Sequence, residues 1–233
     1  QRKISLVSLD QARNARFLPD PSSPYPPNTP GIHILERMNL AILREWIDWS
    51  PFFHAWEMKG RYPELLEHPD SGPEATRLYQ DAQTWLDRIE REHSLTAKGI
   101  FGLFPANALN SEDVVLYDTP EGNEIRGVFH FLRQQEEKPA GKPYYSLADF
   151  VMPHSSGRID WMGMFAVTAG LGLDALVAKL EGQKDDYAAI MVKALADRLT
   201  EAFAEWLHSE IRRRHWGYAA GEQKSQQELL AES

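Results

Sequence analysis

Residues 185–214 read DDYAAIMVKALADRLTEAFAEWLHSEIRRR and carry the clearest secondary-structure signal in the chain. Apolar side chains recur at helical spacing, acidic residues begin the stretch and arginines close it, as the helix dipole prefers. The apolar stripe consists of Ile190, Ala194, Leu195, Leu199, Ala202, Phe203, Trp206 and Ile211. The stretch therefore predicts one long helix near the C-terminus.

The segments before this helix predict both helices and strands. Residues 74–92 place charges opposite an apolar stripe, which predicts a surface helix. Residues 113–135 contain β-branched and aromatic runs around the turn signal TPEGN, which predicts a hairpin. Residues 144–153 and 160–174 predict further strands or buried segments. The expected fold class is α+β: an antiparallel sheet with flanking helices and one long C-terminal helix.

Residues 17–31 read FLPDPSSPYPPNTPG and contain six prolines. Proline lacks a backbone N–H and restricts the residue before it, so this stretch excludes a helix or a central strand. We therefore expect a proline-rich arm over residues 1–31, followed by one domain over residues 32–233. With 233 residues, 42% of them hydrophobic, the chain can bury a substantial core.

The composition excludes several classes of protein. A net charge of −9 argues against nonspecific nucleic-acid binding, and no apolar run approaches the roughly 18 residues of a membrane span. The absence of cysteine removes disulfides, thiolate metal sites and thiol nucleophiles, and fits a reducing compartment. We expect a soluble, cytoplasmic protein that binds neither nucleic acid nor membrane.

The known catalytic and cofactor motifs are missing. The chain has no glycine-rich phosphate loop, no H-E-x-x-H and no G-x-S-x-G. His208 and His215 lie about two turns apart on the predicted helix, where surface or capping roles are expected rather than metal ligation. The series Lys193, Asp197, Glu201 and Glu205 is typical of a solvated helix face. No metal site is predicted.

Asp48 is the unusual polar residue, because it lies within REWIDWSPFFHAW, residues 44–56, among tryptophans and phenylalanines. The spacing of apolar residues over 35–49 predicts a helix that Pro51 prevents from continuing, which would put Asp48 near a helix exit. A carboxylate on the wall of an aromatic pocket would attract a cationic or amine-bearing ligand. The alternative is a structural carboxylate at a helix end, bonded to backbone amides.

Several motifs together resemble one protein family. They occur in the order IDWSPFF, GIFGLFPAN, FLRQQEEK, SLADFV, SGRIDWMGMFAVTAG, DDYAAIMVKALADRLTEAFAEWLH and WGYA. This series closely resembles the C-terminal activation domain of cobalamin-dependent methionine synthase, and the resemblance extends from about Val7 to the last residue. The motif of the long helix is the most specific of the series.

The resemblance implies a role in reactivation. In this family the activation domain presents S-adenosylmethionine, so that one-electron reduction and methyl transfer convert inactive cob(II)alamin to methylcobalamin. The cobalamin is held by a neighbouring domain, whose D-x-H-x-x-G signature is absent from this chain. The implied partners are that cobalamin-binding domain and flavodoxin or an equivalent flavin reductase. The implied enzyme is a methyltransferase of methionine biosynthesis, of which this chain is one domain and does not form methionine alone.

The resemblance also assigns site residues. Asp48 matches the aspartate of the family motif I-D-W-x-P-F-F, and the resemblance implies that it contacts S-adenosylmethionine through the amino group of the methionine moiety. Glu201 and Glu232 match acidic positions near the ligand. No general acid or base is expected, since the sulfonium is already an activated leaving group. The family motif R-x-x-P-G-Y-P lies beyond Ser233, so weak or absent ligand binding is expected if this chain is a fragment, and a larger docking role if it is complete.

Two functional hypotheses follow. The first is a domain that binds S-adenosylmethionine for reactivation, and the alternative is a noncatalytic docking module for the cobalamin domain or flavodoxin. Because flavodoxin is acidic, its docking would need a local positive surface on this acidic chain. The candidates for that surface are Lys59, Arg61, Arg158 and the run Arg212 to Arg214.

Overall fold

The computed structural model describes residues 5–18, 25–122 and 124–222. The chain divides into two compact units, each built from interleaved segments. The first unit comprises residues 1–32, 102–164 and 214–220, and the second comprises residues 33–101, 165–213 and 221–233. No helix within the described residues combines the length and apolar character needed to cross a membrane.

The predicted long helix is present in the second unit as α6, Asp186–Glu210. Asp185 is its N-cap, where the carboxylate accepts a hydrogen bond from the Ala188 N–H at 3.0 Å. A π-helical turn, Ile211–His215, follows α6. The predicted stripe is buried at Leu195, Leu199, Ala202, Phe203 and Ile211, but Ile190 is 53% exposed, so the prediction that it faces the core was wrong.

Four further helices pack against α6 within the second unit. They are α2 (Leu40–Arg44), α3 (Trp49–Ala55), α4 (Gly72–Glu92) and α5 (Leu173–Gly182). Helix α4 confirms the surface helix predicted over residues 74–92. Helix α5 was not predicted, because its residues follow the glycine-rich end of a strand. A short helix, α1 (Leu9–Asn14), belongs to the first unit.

The single helix predicted over residues 35–49 is wrong. Residues Gly31–Met38 form a strand, β1, whose burial alternates along most of its length, and the chain then forms α2 and α3 as separate helices. Proline is tolerated in the first turn of a helix, where its missing N–H would have no partner within the helix. Pro51 therefore lies in the first turn of α3 instead of ending a helix, and Asp48 lies at a helix entrance.

Within the residues that the structure describes, the sheet has five strands. The other four are β2 (Thr96–Leu109), β3 (Asp113–Tyr117), β4 (Ile125–His130) and β5 (Asp160–Leu171). Their order is β1-β2-β3-β4, and β5 pairs with β2. The antiparallel pairing of β3 with β4 confirms the predicted hairpin, and β2 also runs antiparallel to β3. Strand β5 confirms the strand predicted after residue 160.

Residues 144–153 do not form a strand, because a 3₁₀ turn, Leu147–Phe150, interrupts the extended chain. A capping box explains this difference: the Ser146 side chain accepts from the Ala148 N–H, and the Asp149 carboxylate accepts from the Ser146 N–H. A nearby hydrophobic cluster of the first unit contains Phe104, Ala106, Val114, Leu116 and Ala148.

The proline-rich arm is partly described. Residues 25–30 contain no regular helix or strand, as predicted. The Trp216 indole N–H donates to the Tyr25 carbonyl at 2.7 Å, and the Thr29 N–H donates to the His215 carbonyl at 3.0 Å. This part of the arm therefore donates to a carbonyl of the π-helical turn and accepts a hydrogen bond from the indole that follows the turn, within the first unit.

Candidate functional site

Asp48 is the N-cap of α3 in the second unit. Its Oδ1 accepts a hydrogen bond from the Ser50 N–H at 3.0 Å, so the carboxylate satisfies one of the free amides of the first helical turn. The residue is half-buried. Among the described residues no group donates to Oδ2. The structural role weighed for Asp48 is therefore present, and one carboxylate oxygen is still available to accept a hydrogen bond.

The aromatic side chains that follow Asp48 turn into the core. Phe52 and Phe53 are fully buried, and Trp49 is 6% exposed. Trp49 contacts Phe52 edge to face with ring centroids 5.3 Å apart, and it contacts Tyr79 of α4 in the same manner at 4.8 Å. These rings do not form an open wall around Asp48. Instead they hold α3 rigidly against the rest of the second unit.

Ser50 fixes the first turn of α3 from a second direction. Its Oγ accepts a hydrogen bond from the Tyr62 N–H at 3.1 Å, and the Tyr62 ring stacks on Tyr79 at 5.5 Å. Burial, together with the interaction with Tyr62, raises the pKa of Tyr79 to about 12. Both sides of the capped turn are thus held by packing and hydrogen bonds, which orients the Asp48 carboxylate.

Glu201 lies on the exposed face of α6 and is engaged by a neighbour. Arg198, one turn earlier, donates to both carboxylate oxygens at 2.6 and 2.7 Å. The Glu201 side chain is 63% exposed, whereas the Arg198 side chain is 14% exposed. Asp48 and Glu201 therefore lie on helices that pack together, α3 and α6, but no described hydrogen bond or ion pair joins them. Glu232 lies outside the described residues.

The cations proposed for docking differ in their surroundings. Lys59 and Arg61 are exposed, and neither makes an ion pair with a described residue. Arg212 is instead half-buried and pairs with Glu222 at 2.8 Å, so much of its charge is compensated. Arg158 and Arg214 belong to the first unit.

The two histidines considered as ligands have ordinary surroundings. His208 is exposed, with its ring centroid 6.5 Å from that of Phe165. His215 lies 2.9 Å from the Thr29 hydroxyl through Nδ1. Within the described parts of the chain, no group of three or more His, Asp or Glu side chains is arranged to hold a metal ion.

Sequence reasoning weighed a helix-end role for Asp48, but it missed the contribution of Ser50 and placed Asp48 at a helix exit instead of a helix start. The signal was present in the sequence, because aspartate is a favoured N-cap residue and proline is tolerated in the first turn of a helix. The apolar spacing upstream of Asp48 matched a helix equally well, so the strand β1 and the break after α2 were not recognised.

Two comparisons with known proteins bear on this site. A sequence family described as "Vitamin B12 dependent methionine synthase, activation domain" matches residues 39–233. A crystal structure described as the MetH reactivation domain bound to AdoHcy is 45% identical in sequence and superposes with a TM-score of 0.93. That alignment covers 97% of this chain and 70% of the other chain.

Proposed function

Because this chain belongs to the family of vitamin B12 dependent methionine synthase activation domains, we propose that it binds S-adenosylmethionine and presents its methyl group to the cobalamin of a separate domain. The structurally similar reactivation domain has AdoHcy bound, the molecule that remains after S-adenosylmethionine gives up its methyl group. The chain is thus part of a methyltransferase, and its own task is reactivation.

The observation that carries this proposal is the free oxygen of Asp48. Oδ1 caps α3, while Oδ2 has no donor among the described residues. An ammonium group is a fitting donor, since hydrogen bonds between ionised partners are shorter and stronger than neutral ones. We therefore assign to Asp48 the amino group of the methionine moiety of S-adenosylmethionine. The rigid packing of Trp49, Phe52 and Phe53 would keep the carboxylate in place.

The proposed reaction requires this chain to position the methyl donor and does not require it to transfer a proton. S-adenosylmethionine transfers a methyl group to the cobalamin and becomes S-adenosylhomocysteine, and an electron from a flavin protein accompanies the transfer. The sulfonium is an activated leaving group, so the domain has to hold the methyl carbon in line with its acceptor. We assign no general acid or base.

Glu201 and Glu232 remain proposed contacts of the ligand. For Glu201, ligand contact would require the carboxylate to share or to leave its two hydrogen bonds from Arg198. We expect a smaller contribution from Glu201 than from Asp48, because an exposed ion pair is worth only about 0–1 kcal/mol and its partner competes for the same oxygens.

The proposed partners are the cobalamin-binding domain of the same enzyme and an electron donor such as flavodoxin. Lys59 and Arg61 are the best candidates for receiving an acidic flavodoxin, since both are exposed and have no described ion pair. A cytoplasmic location is also part of this proposal, and it rests on the reducing chemistry that such an electron donor needs.

The test is a calorimetric titration of S-adenosylmethionine. It would use this chain and a longer chain that continues through the R-x-x-P-G-Y-P segment, each as wild type and as Asp48→Asn. Asparagine caps a helix as well as aspartate does, so the melting temperature should stay unchanged while the charge is removed. A lost charge-assisted hydrogen bond costs about 1.5–3 kcal/mol, which predicts roughly 10- to 100-fold weaker binding.

Asp185→Asn is the matched control. Asp185 also caps a helix of the second unit with one hydrogen bond to a backbone amide at 3.0 Å, so the same substitution there should leave ligand affinity unchanged. Equal affinities for wild type and Asp48→Asn would contradict the assignment of Asp48. Absence of binding in both chain lengths would instead favour the noncatalytic docking module.

A further inference from the structure

A cleft in the first unit is lined by cations. Its volume is about 420 Å³, and its wall includes Arg16, Lys138 and Lys142 together with Tyr144. Among the residues that the structure describes, no acidic side chain lines the cleft. None of the three cations makes an ion pair with a described residue. The chain as a whole has a net charge of −9, so this cluster is a local positive surface on an acidic protein.

A partly exposed aromatic cluster adjoins the cleft. The rings of Phe17, Tyr145 and Phe150 contact one another with centroids 5.2 to 6.0 Å apart. Phe150 is 57% exposed, and Leu147 in the same 3₁₀ turn is 66% exposed. Single exposed apolar residues are common on protein surfaces, but a contiguous group of large apolar side chains marks an interaction site.

Lys138 joins the cleft to the aromatic cluster. Its ammonium lies 5.0 Å from the ring centroid of Tyr145 and 5.6 Å from that of Tyr144. It also donates to the Pro143 carbonyl at 2.9 Å and to the Gln134 amide oxygen. The ammonium is therefore held in place before any ligand arrives, which lowers the entropy cost of binding.

Two acidic residues lie next to the cleft-lining residues in the sequence. Glu136 and Glu137 precede Lys138 and are exposed, but neither lines the cleft. Arg13, on α1, is already engaged by Glu112 at 2.8 Å. The three cations that line the cleft have no described ion pair, so their charges can attract carboxylates of a partner.

We propose that this aromatic-basic surface, formed by Arg16, Phe17, Lys138, Lys142, Tyr145 and Phe150, docks a partner protein through a segment in which carboxylates flank aromatic side chains. Charge complementarity selects an acidic partner and speeds its association, and the exposed rings supply the apolar contact that carries affinity. The net negative charge of the chain disfavours nucleic acid as the occupant. This inference is independent of S-adenosylmethionine binding.

The test uses the 233-residue chain, labelled with ¹⁵N, and three synthetic peptide probes. The first probe has the sequence EEFEEFEE, the second replaces its phenylalanines by alanine, and the third replaces its glutamates by lysine. We expect the first probe to shift the amide resonances of residues 16–17 and 138–150 saturably. The second should bind at least fivefold more weakly, and the third should leave these resonances in place.

The triple substitution Arg16→Glu/Lys138→Glu/Lys142→Glu should weaken binding of the first probe at least tenfold. The control, Arg37→Glu/Lys179→Glu/Lys184→Glu, changes net charge equally at exposed residues of the second unit and should change the affinity less than twofold. Lys142→Glu alone, at an exposed side chain without a described partner, covers the case in which the triple variant is unfolded; it should weaken binding about threefold.

Three results would overturn the proposal. In the first, the acidic aromatic probe shifts resonances elsewhere, or none. In the second, the charge-matched control loses as much affinity as the triple variant, which would show a nonspecific effect of net charge. In the third, a DNA duplex of equal charge shifts the same resonances as strongly as the probe, which would assign the surface to polyanions in general.

Discussion

Asp48 combines a structural and a proposed ligand role because its two oxygens have different surroundings. Oδ1 is committed to the Ser50 amide, and this bond sets the direction in which Oδ2 points. A carboxylate that is already ordered loses little entropy when it binds an ammonium. The proposed site therefore begins at a helix cap, where backbone geometry fixes the side chain before the ligand binds.

Gly172 is a second residue whose local geometry has a measurable consequence. It is the N-cap of α5 with φ of +102°, and a Cβ at this position would lie 2.5 Å from the Ser94 carbonyl oxygen. Gly172→Ala combines backbone strain with a clash against main chain, so we expect a loss of about 3 kcal/mol in the free energy of unfolding. Urea unfolding would measure it.

Gly182→Ala is the control for that substitution, since Gly182 is the last residue of the same helix and a Cβ there meets nothing within 4 Å. Alanine at this position should leave stability unchanged or raise it slightly. Similar urea midpoints for the two variants would contradict the account of Gly172.

At the scale of elements, a network of side-chain ion pairs joins α1 to the residues that flank the β3–β4 hairpin. Arg133, whose side chain is fully buried, donates to Asp149 at 2.7 and 2.8 Å and to Glu112 at 2.8 Å. Glu112 also accepts from Arg13 of α1 at 2.8 Å. Removing one member would leave a buried charge uncompensated, which is costly.

This network predicts a pH dependence. Burial would raise the pKa of Glu112, but hydrogen bonds from Arg13 and Arg133 outweigh it and hold the pKa below its ordinary value. Since the folded-state pKa is lowered, the stabilisation is complete above about pH 4.5 and is lost as the pH falls through the folded-state value. Glu112→Gln should therefore lower the melting temperature at pH 7, with a difference from wild type that shrinks below pH 4.5.

The control for this prediction is Glu137→Gln, because Glu137 is exposed and has no described ion pair. It should match the wild-type melting temperature at both pH values. A Glu112→Gln variant whose deficit is as large at pH 3 as at pH 7 would contradict the role given to the ionised carboxylate.

The elements were predictable where the pattern was long or bounded by turn chemistry. Helices α4 and α6 and the β3–β4 hairpin followed from periodicity and from TPEGN. The pattern did not predict α2, α3 or β1. Leu35, Met38 and Ile42 fit a helical spacing, although Leu35 and Met38 belong to a strand. The 3₁₀ turn at Leu147 was hidden as well, since its capping box depends on only two side chains.

At the scale of the whole chain, family membership came from the ordered series of motifs rather than from any element. Periodicity alone reached an α+β domain with a carboxylate of unknown purpose. The capping role of Asp48 was among the readings of the sequence, but its free oxygen could not be anticipated, because it depends on which groups surround the carboxylate in three dimensions.

Docking of the proposed electron donor would depend on the charge distribution over the whole molecule. Lys59→Glu/Arg61→Glu should weaken flavodoxin binding and flatten its dependence on salt, since fewer opposite charges would then be screened. Lys179→Glu/Lys184→Glu makes the same change in net charge at exposed lysines and should keep the wild-type slope. Titrations between low and physiological salt would compare the slopes, and an unchanged slope in the first variant would exclude these two cations.

The role of Asp48 is tested most directly by measuring transfer of a labelled methyl group from S-adenosylmethionine to cobalamin in the intact enzyme. Wild type, Asp48→Asn and Asp185→Asn would be compared under a flavodoxin reducing system. At subsaturating S-adenosylmethionine we expect Asp48→Asn to transfer label at least tenfold more slowly than wild type. Asp185→Asn should match wild type, and all three should form methionine from methyltetrahydrofolate equally well once methylated. Label transfer by Asp48→Asn at the wild-type rate would contradict the assignment of Asp48 to the ligand.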